Sequence, residues 1–106
     1  MTREQALERL AYCRQSIDEI DIRILELINA RTLVVEEIGR IKQKFTMPIY
    51  EPKREDEVFR NVTVNNGGPL STDAVHRVFE RIIDEMRGVQ RDRMLQAGAQ
   101  PDEGTQ

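Results

Sequence analysis

The 106-residue sequence predicts an all-α fold: three helices per chain, long, short and medium, joined with a second copy in an intertwined homodimeric helical bundle. Three observations predict it. Residues 4–44 hold no Pro and a single Gly, Gly39, and are dominated by Leu, Ile, Glu, Arg and Ala, all compatible with one long helix. About forty residues at about 1.5 Å each make a rod of roughly 60 Å, whereas a compact chain of this size has a radius of gyration of only about 13 Å. The apolar share is 39% and the aromatic share 5%, with no Trp. The rest of the chain therefore cannot cover the rod, and the remainder packs on a twofold-related copy.

The first helix is expected over about 4–44. The stretch 45–51 breaks it through Pro48 and crosses to the next element. Pro52 suits the first turn of a second helix, expected over 52–65, with Val58, Phe59 and Val62 at helical spacing. Asn65-Asn66-Gly67-Gly68-Pro69 stops it. Ser71, Thr72 or Asp73 can cap a third helix, 72–95, whose apolar line runs through Val75, Val78, Phe79, Ile82, Ile83, Met86 and Val89. Residues 1–96 form one domain, and 97–106 read as a disordered polar tail.

Composition excludes several function classes. Sixteen Lys+Arg against nineteen Asp+Glu give a net charge of −3, without the basic face that a nucleic acid demands. The N-terminus lacks the apolar run of a signal peptide or membrane span, so a cytoplasmic protein is expected, with no membrane partner. Cys13 and His76 are each the only residue of their kind, and no Gly-rich phosphate loop is present. No metal and no cofactor are expected, and nucleophilic and nucleotide chemistry are disfavoured.

Read in sevens, the first helix has an apolar seam of Leu7, Leu10, Ile17, Ile24, Ile28, Val35 and Ile38, interrupted by Arg14, Asp21, Arg31 and Lys42. Ala6, Cys13, Ile20, Leu27, Val34 and Ile41 widen it. A buried ion costs several kcal/mol unless paired, and here three cations share a stripe with one carboxylate. Snorkelling at the seam's edge, or pairing with Asp21 in the dimer, is the bland explanation for any one of them; for all three, an anionic ligand is the better one. Arg31 and Lys42 stand eleven residues apart, near three turns, and point the same way. Arg14 lies seventeen residues before Arg31, roughly 25 Å along the rod. If it serves the same ligand, it must come from the other protomer.

Glu51, Arg54 and Glu55 share a face at the start of the second helix, where capping and surface ion pairing compete with ligand binding. Gln90 continues the line of Met86 on the third helix and carries an amide into a face that should be buried. An inward amide more often satisfies a protein partner than a ligand. Together these residues suit a small dicarboxylate, acted on by geometry and charge placement without a covalent intermediate.

The runs Cys13-Arg14-Gln15-Ser16-Ile17-Asp18-Glu19-Ile20-Asp21, Ile38-Gly39-Arg40-Ile41-Lys42 and Pro48-Ile49-Tyr50-Glu51-Pro52-Lys53-Arg54-Glu55, with residues 25–31 between them, resemble the all-helical AroQ class of chorismate mutase. The likeness covers residues 7–95. It implies a Claisen rearrangement of chorismate to prephenate, at the branch to phenylalanine and tyrosine, in a homodimer with Arg14 contributed in trans. By the same resemblance Arg14 and Arg31 clamp the two carboxylates, while Lys42 and Gln90 donate to the ether oxygen and are the catalytic pair. Glu55 accepts from the ring hydroxyl, Glu51 contributes near it through its backbone, and Arg54 supports the carboxylate end. Met86 stands where some members place a Ser that touches a carboxylate. Gln90 in place of Glu implies no acidic pH optimum, and Asp21 is expected to hold an arginine in position. Another shikimate-pathway enzyme is a further candidate partner. The rival readings are an isochorismate pyruvate lyase on the same scaffold, a non-catalytic regulatory domain that binds chorismate or prephenate, and a helical dimerisation module.

Overall fold

The computed structural model describes the backbone of residues 1–99 and the side chains of residues 1–96. Within them run three helices, α1 (Arg3–Phe45), α2 (Pro52–Asn65) and α3 (Thr72–Ala99), and no strand.

Helix α1 starts at a reciprocal cap. The Thr2 hydroxyl accepts from the Gln5 amide at 3.1 Å, and the Gln5 side chain accepts from the Thr2 amide at 2.9 Å, so two of the otherwise orphaned N–H groups are satisfied. The helix ends at Thr46, which takes a left-handed φ of 55°, while the Met47 amide reaches back to the Lys42 carbonyl at 2.8 Å. That is a Schellman closure built on a β-branched residue, a conformation that usually calls for Gly. Pro48 then prevents the helix from resuming.

Pro52 opens α2 as expected, and the Glu55 amide closes its first turn on the Glu51 carbonyl at 3.0 Å. Past its end, Asn66 ties the connection: its side-chain oxygen accepts from Gly68 at 3.0 Å and its amide donates to the Leu70 carbonyl at 2.8 Å. Gly68 carries a φ of +76° and precedes a cis peptide bond to Pro69. Of the three candidate caps for α3, Ser71 is the one used, its hydroxyl accepting from the Ala74 amide at 3.1 Å. Helix α3 runs four residues past the expected end near Leu95, taking Ala97–Ala99 into the helix and out of the expected tail. The alanines favour helix and a single Gly is tolerated. The rest of that expected tail, residues 100–106, lies outside the described residues.

The chain divides into two compact units, Met1–Leu33 and the residues from Val34 onward. The first is a stretch of α1 with no buried residue. Its seam side chains Leu7, Leu10, Ile17, Ile20, Ile24 and Leu27 are all exposed, Leu27 at 71%. In the second unit α2 packs on α3, with Phe59 stacked on His76 at 4.0 Å. Its core holds Val35, Val75, Ile83 and Met86. The end of α1 comes close to α3 at Gly39: a Cβ placed on it would stand in ordinary contact, 3.5 Å from the Gln90 Cα and 3.5 Å from the Arg93 Cβ. The apolar residues Val34, Ile38 and Ile41 remain exposed here as well. Among the described residues no helix is long and apolar enough to cross a membrane.

Candidate functional site

Lys42 and Gln90 are the two buried polar side chains among the described residues. They face each other where α1 passes α3 at Gly39, three positions before Lys42 and in contact distance of Gln90. The Lys42 ammonium donates to the Gln90 side-chain oxygen at 2.9 Å and to the Ile49 carbonyl at 3.1 Å, and its Nζ lies 3.4 Å from the Glu51 carboxylate. An ammonium has three protons and accepts nothing; two go to Gln90 and Ile49, and the ion pair with Glu51 adds compensating charge. That compensation is what makes a buried lysine tolerable. The contact also fixes the amide: with its oxygen on Lys42, Gln90 turns its NH2 group away from the ammonium.

The three oxygens are not equivalent. Gln90 is 9% exposed and the Ile49 carbonyl belongs to the backbone, whereas the Glu51 side chain is 44% exposed and makes the longest contact. Glu51 therefore enters this cluster through its carboxylate; the backbone contribution implied by the resemblance remains a separate matter.

A second polar group sits on α2 and α3. The Glu55 carboxylate is gripped by Arg87, Nε to Oε2 at 2.8 Å and Nη2 to Oε1 at 3.3 Å. Arg87 Nη1 also donates to the Asp84 carboxylate at 3.2 Å, and its guanidinium carbon lies 5.7 Å from the centre of the Tyr50 ring. The hydrogen bond to Glu55, opposed by burial and helped by the charges of Glu55 and Asp84, holds the Arg87 guanidinium above the ordinary arginine range. The apolar line of α3 through Met86 and Val89 does not single out Arg87, one of the two positions between them. The signals that could have found it are Asp84 three residues earlier and its place directly beside a buried Met86.

The other candidates are distributed as follows. Met86 is buried at 6%. Arg54 is exposed, with its guanidinium 3.9 Å from Glu57 one turn on. In the N-terminal unit Arg14 and Asp21 are exposed, along with Leu10 and Ile17 beside them, while Arg31 is half-buried. Thus Lys42, Glu51 and Gln90 come together, Glu55 is engaged by a residue not anticipated, and Arg54 pairs along its own helix. Among the described residues no group of three or more His, Cys, Asp or Glu side chains could hold a metal ion.

Over the described residues the fold is three helices without a strand, with a buried ammonium–amide pair set between the end of one helix and the middle of another. The chain belongs to the chorismate mutase type II family, which it matches over residues 13–91. It is similar to a bifunctional chorismate mutase/prephenate dehydratase of Aquifex aeolicus, 37% identical over 81 residues that make up 73% of this chain and 22% of that protein. A chorismate mutase of Methanocaldococcus jannaschii is 38% identical over 56 residues, 53% of this chain and 57% of that one. Among solved structures, chorismate mutase (Form II) of Thermus thermophilus superposes with a TM-score of 0.76 at 30% identity, over 78% of this chain and 94% of that chain. The match spans only about a fifth of the bifunctional relative.

Proposed function

We propose that the chain is a chorismate mutase, an isomerase that converts chorismate to prephenate without metal or cofactor. The observation that carries it is the Lys42–Gln90 pair, buried and 2.9 Å apart. The rearrangement breaks an ether C–O bond while a C–C bond forms, and negative charge grows on the ether oxygen. Two donors already fixed in a poorly solvated place stabilise that charge without reorganising, and one such donor is typically worth about 3–4 kcal/mol. Gln90 supplies its NH2 group, whose direction is set by the oxygen held on Lys42. Lys42 supplies the proton now turned toward Glu51, because that contact is the longest and most exposed of its three.

Arg31 and Arg14 of the partner subunit hold the two carboxylates, with Arg54 at the carboxylate end, so that the enolpyruvyl arm stays over the ring in a reactive conformer. Glu55 accepts from the ring hydroxyl, and buried Met86 belongs to the substrate-binding set at the position where some family members place a Ser. The homodimer in this proposal is supported by the exposed apolar stripe of α1, where Leu7, Leu10, Ile17, Ile20, Ile24, Leu27 and Val34 would otherwise face water. A cytoplasmic setting completes the reading and agrees with the single exposed thiol of Cys13.

The test is incubation of the purified chain with chorismate, following loss of the ultraviolet absorbance of its diene and assaying the products. Loss of the diene with prephenate formed and no pyruvate released is expected. Release of pyruvate from isochorismate as the faster reaction would make the chain a lyase, and no turnover of either would reduce it to a binding domain.

A further inference from the structure

We propose that Arg87 is a positioning residue for the substrate's ring hydroxyl: held by Asp84 and Tyr50, it fixes the Glu55 carboxylate in the orientation that accepts the hydroxyl proton. This rests on the reading of the site as a chorismate mutase site. Glu55 stands one turn into α2, and its flexible side chain has several rotamers open to it. Arg87 removes that freedom with two hydrogen bonds, one to each carboxylate oxygen, from α3.

The grip is itself restrained. Nη1 is turned toward Asp84, and the Tyr50 ring lies by the guanidinium. The three nitrogens of Arg87 thus contact two carboxylates in a planar fork that lysine could not reproduce. Exposed ion pairs rarely matter energetically, but here the Glu55 side chain is only 18% exposed and that of Arg87 31%. A carboxylate offers about four acceptor directions, and Arg87 uses one on each oxygen. The remaining pair stays available for a hydroxyl donor. Arg87 therefore acts through Glu55 and need not touch the substrate.

The hydroxyl contact is present before and during the rearrangement, so losing it weakens ground state and transition state alike. The test compares Arg87→Met, Glu55→Gln and the double variant in the full-length protein, with kcat and KM for chorismate and thermal unfolding for each. R87M is expected to raise KM by about tenfold while kcat changes by less than about threefold. The double variant is expected to match E55Q alone within about twofold, because the two residues act as one unit. Arg87→Lys, which keeps the charge and loses the fork, should fall between wild type and R87M; it carries the same comparison if R87M folds poorly. A wild-type KM in R87M, or losses that multiply in the double variant, would overturn the role of Arg87. A wild-type chain with no mutase activity would instead remove the underlying reading.

Discussion

The ammonium of Lys42 and the side-chain oxygen of Gln90, 48 positions apart in sequence, meet at 2.9 Å in the buried part of the C-terminal unit. In the proposed site the NH2 group of this amide donates to the substrate's ether oxygen, and removing it should be felt in turnover. Gln90→Ala is expected to lower kcat by about 10²–10³-fold with a smaller change in KM, measured by steady-state loss of chorismate. Gln90→Glu should retain activity only where the carboxyl is protonated, so its kcat/KM should fall with rising pH while the wild-type profile lacks that acidic optimum. A Q90E profile parallel to wild type would contradict the role given to Gln90.

Replacing Lys42 tests the other donor. Lys42→Met keeps most of the stem and removes the ammonium, which leaves the Gln90 oxygen and the Ile49 carbonyl without their donor. Stranded acceptors of this kind cost about 1–3 kcal/mol each. The expected outcome is turnover reduced by about 10²-fold or more, with a lowered denaturation midpoint in urea at fixed protein concentration.

Gly39 gives a prediction of the opposite sign. An added Cβ would meet Gln90 and Arg93 at 3.5 Å, which is ordinary van der Waals contact. Ala is favoured over Gly inside a helix by about 1 kcal/mol, which corresponds to a rise of about 4–8 °C in Tm for a small domain. Gly39→Ala should therefore unfold at a higher temperature and keep its activity. Gly39→Leu should lose both, because the longer side chain pushes α3 and Gln90 away from Lys42.

The pH dependence of the Glu55–Arg87 pair follows from the upward shift of Arg87, caused first by its hydrogen bond to Glu55. A cation whose folded-state value lies above its unfolded one contributes stability that is complete below the unfolded value and is lost only above the arginine range. The Tm difference between wild type and R87M should accordingly be the same at about pH 6 and about pH 9. A difference that shrinks across that interval would mean that another group controls the pair.

Much of this arrangement was legible in the residues. The absence of Pro and near absence of Gly before Phe45 fixes α1, Pro52 marks the start of α2, and Lys42 and Gln90 stand out as polar residues at apolar positions of their helices. That they bond to each other could not be read, because a periodic pattern gives the face of a helix and not its neighbour. The Thr2–Gln5 cap was there to be read as Thr-x-x-Gln but is masked by the surrounding charge. Arg87 escaped because burial of its flank depends on how α2 lies over α3, where Glu55 comes within 2.8 Å. The charged seam of α1 is the reverse case. Lys42 is buried in the chain itself, whereas Arg14 is exposed and Arg31 half-buried; the proposed homodimer would give the seam position of Arg14 its reason.

That second copy is open to a direct measurement. Arg14→Ala and Arg31→Ala should each be nearly inactive as homodimers. Unfolded together and refolded, they should regain about a quarter of wild-type turnover, since about half the dimers are mixed and each mixed dimer has one site with both arginines intact. Mixed dimers confirmed by mass yet no more active than their parents would contradict a site shared between two chains.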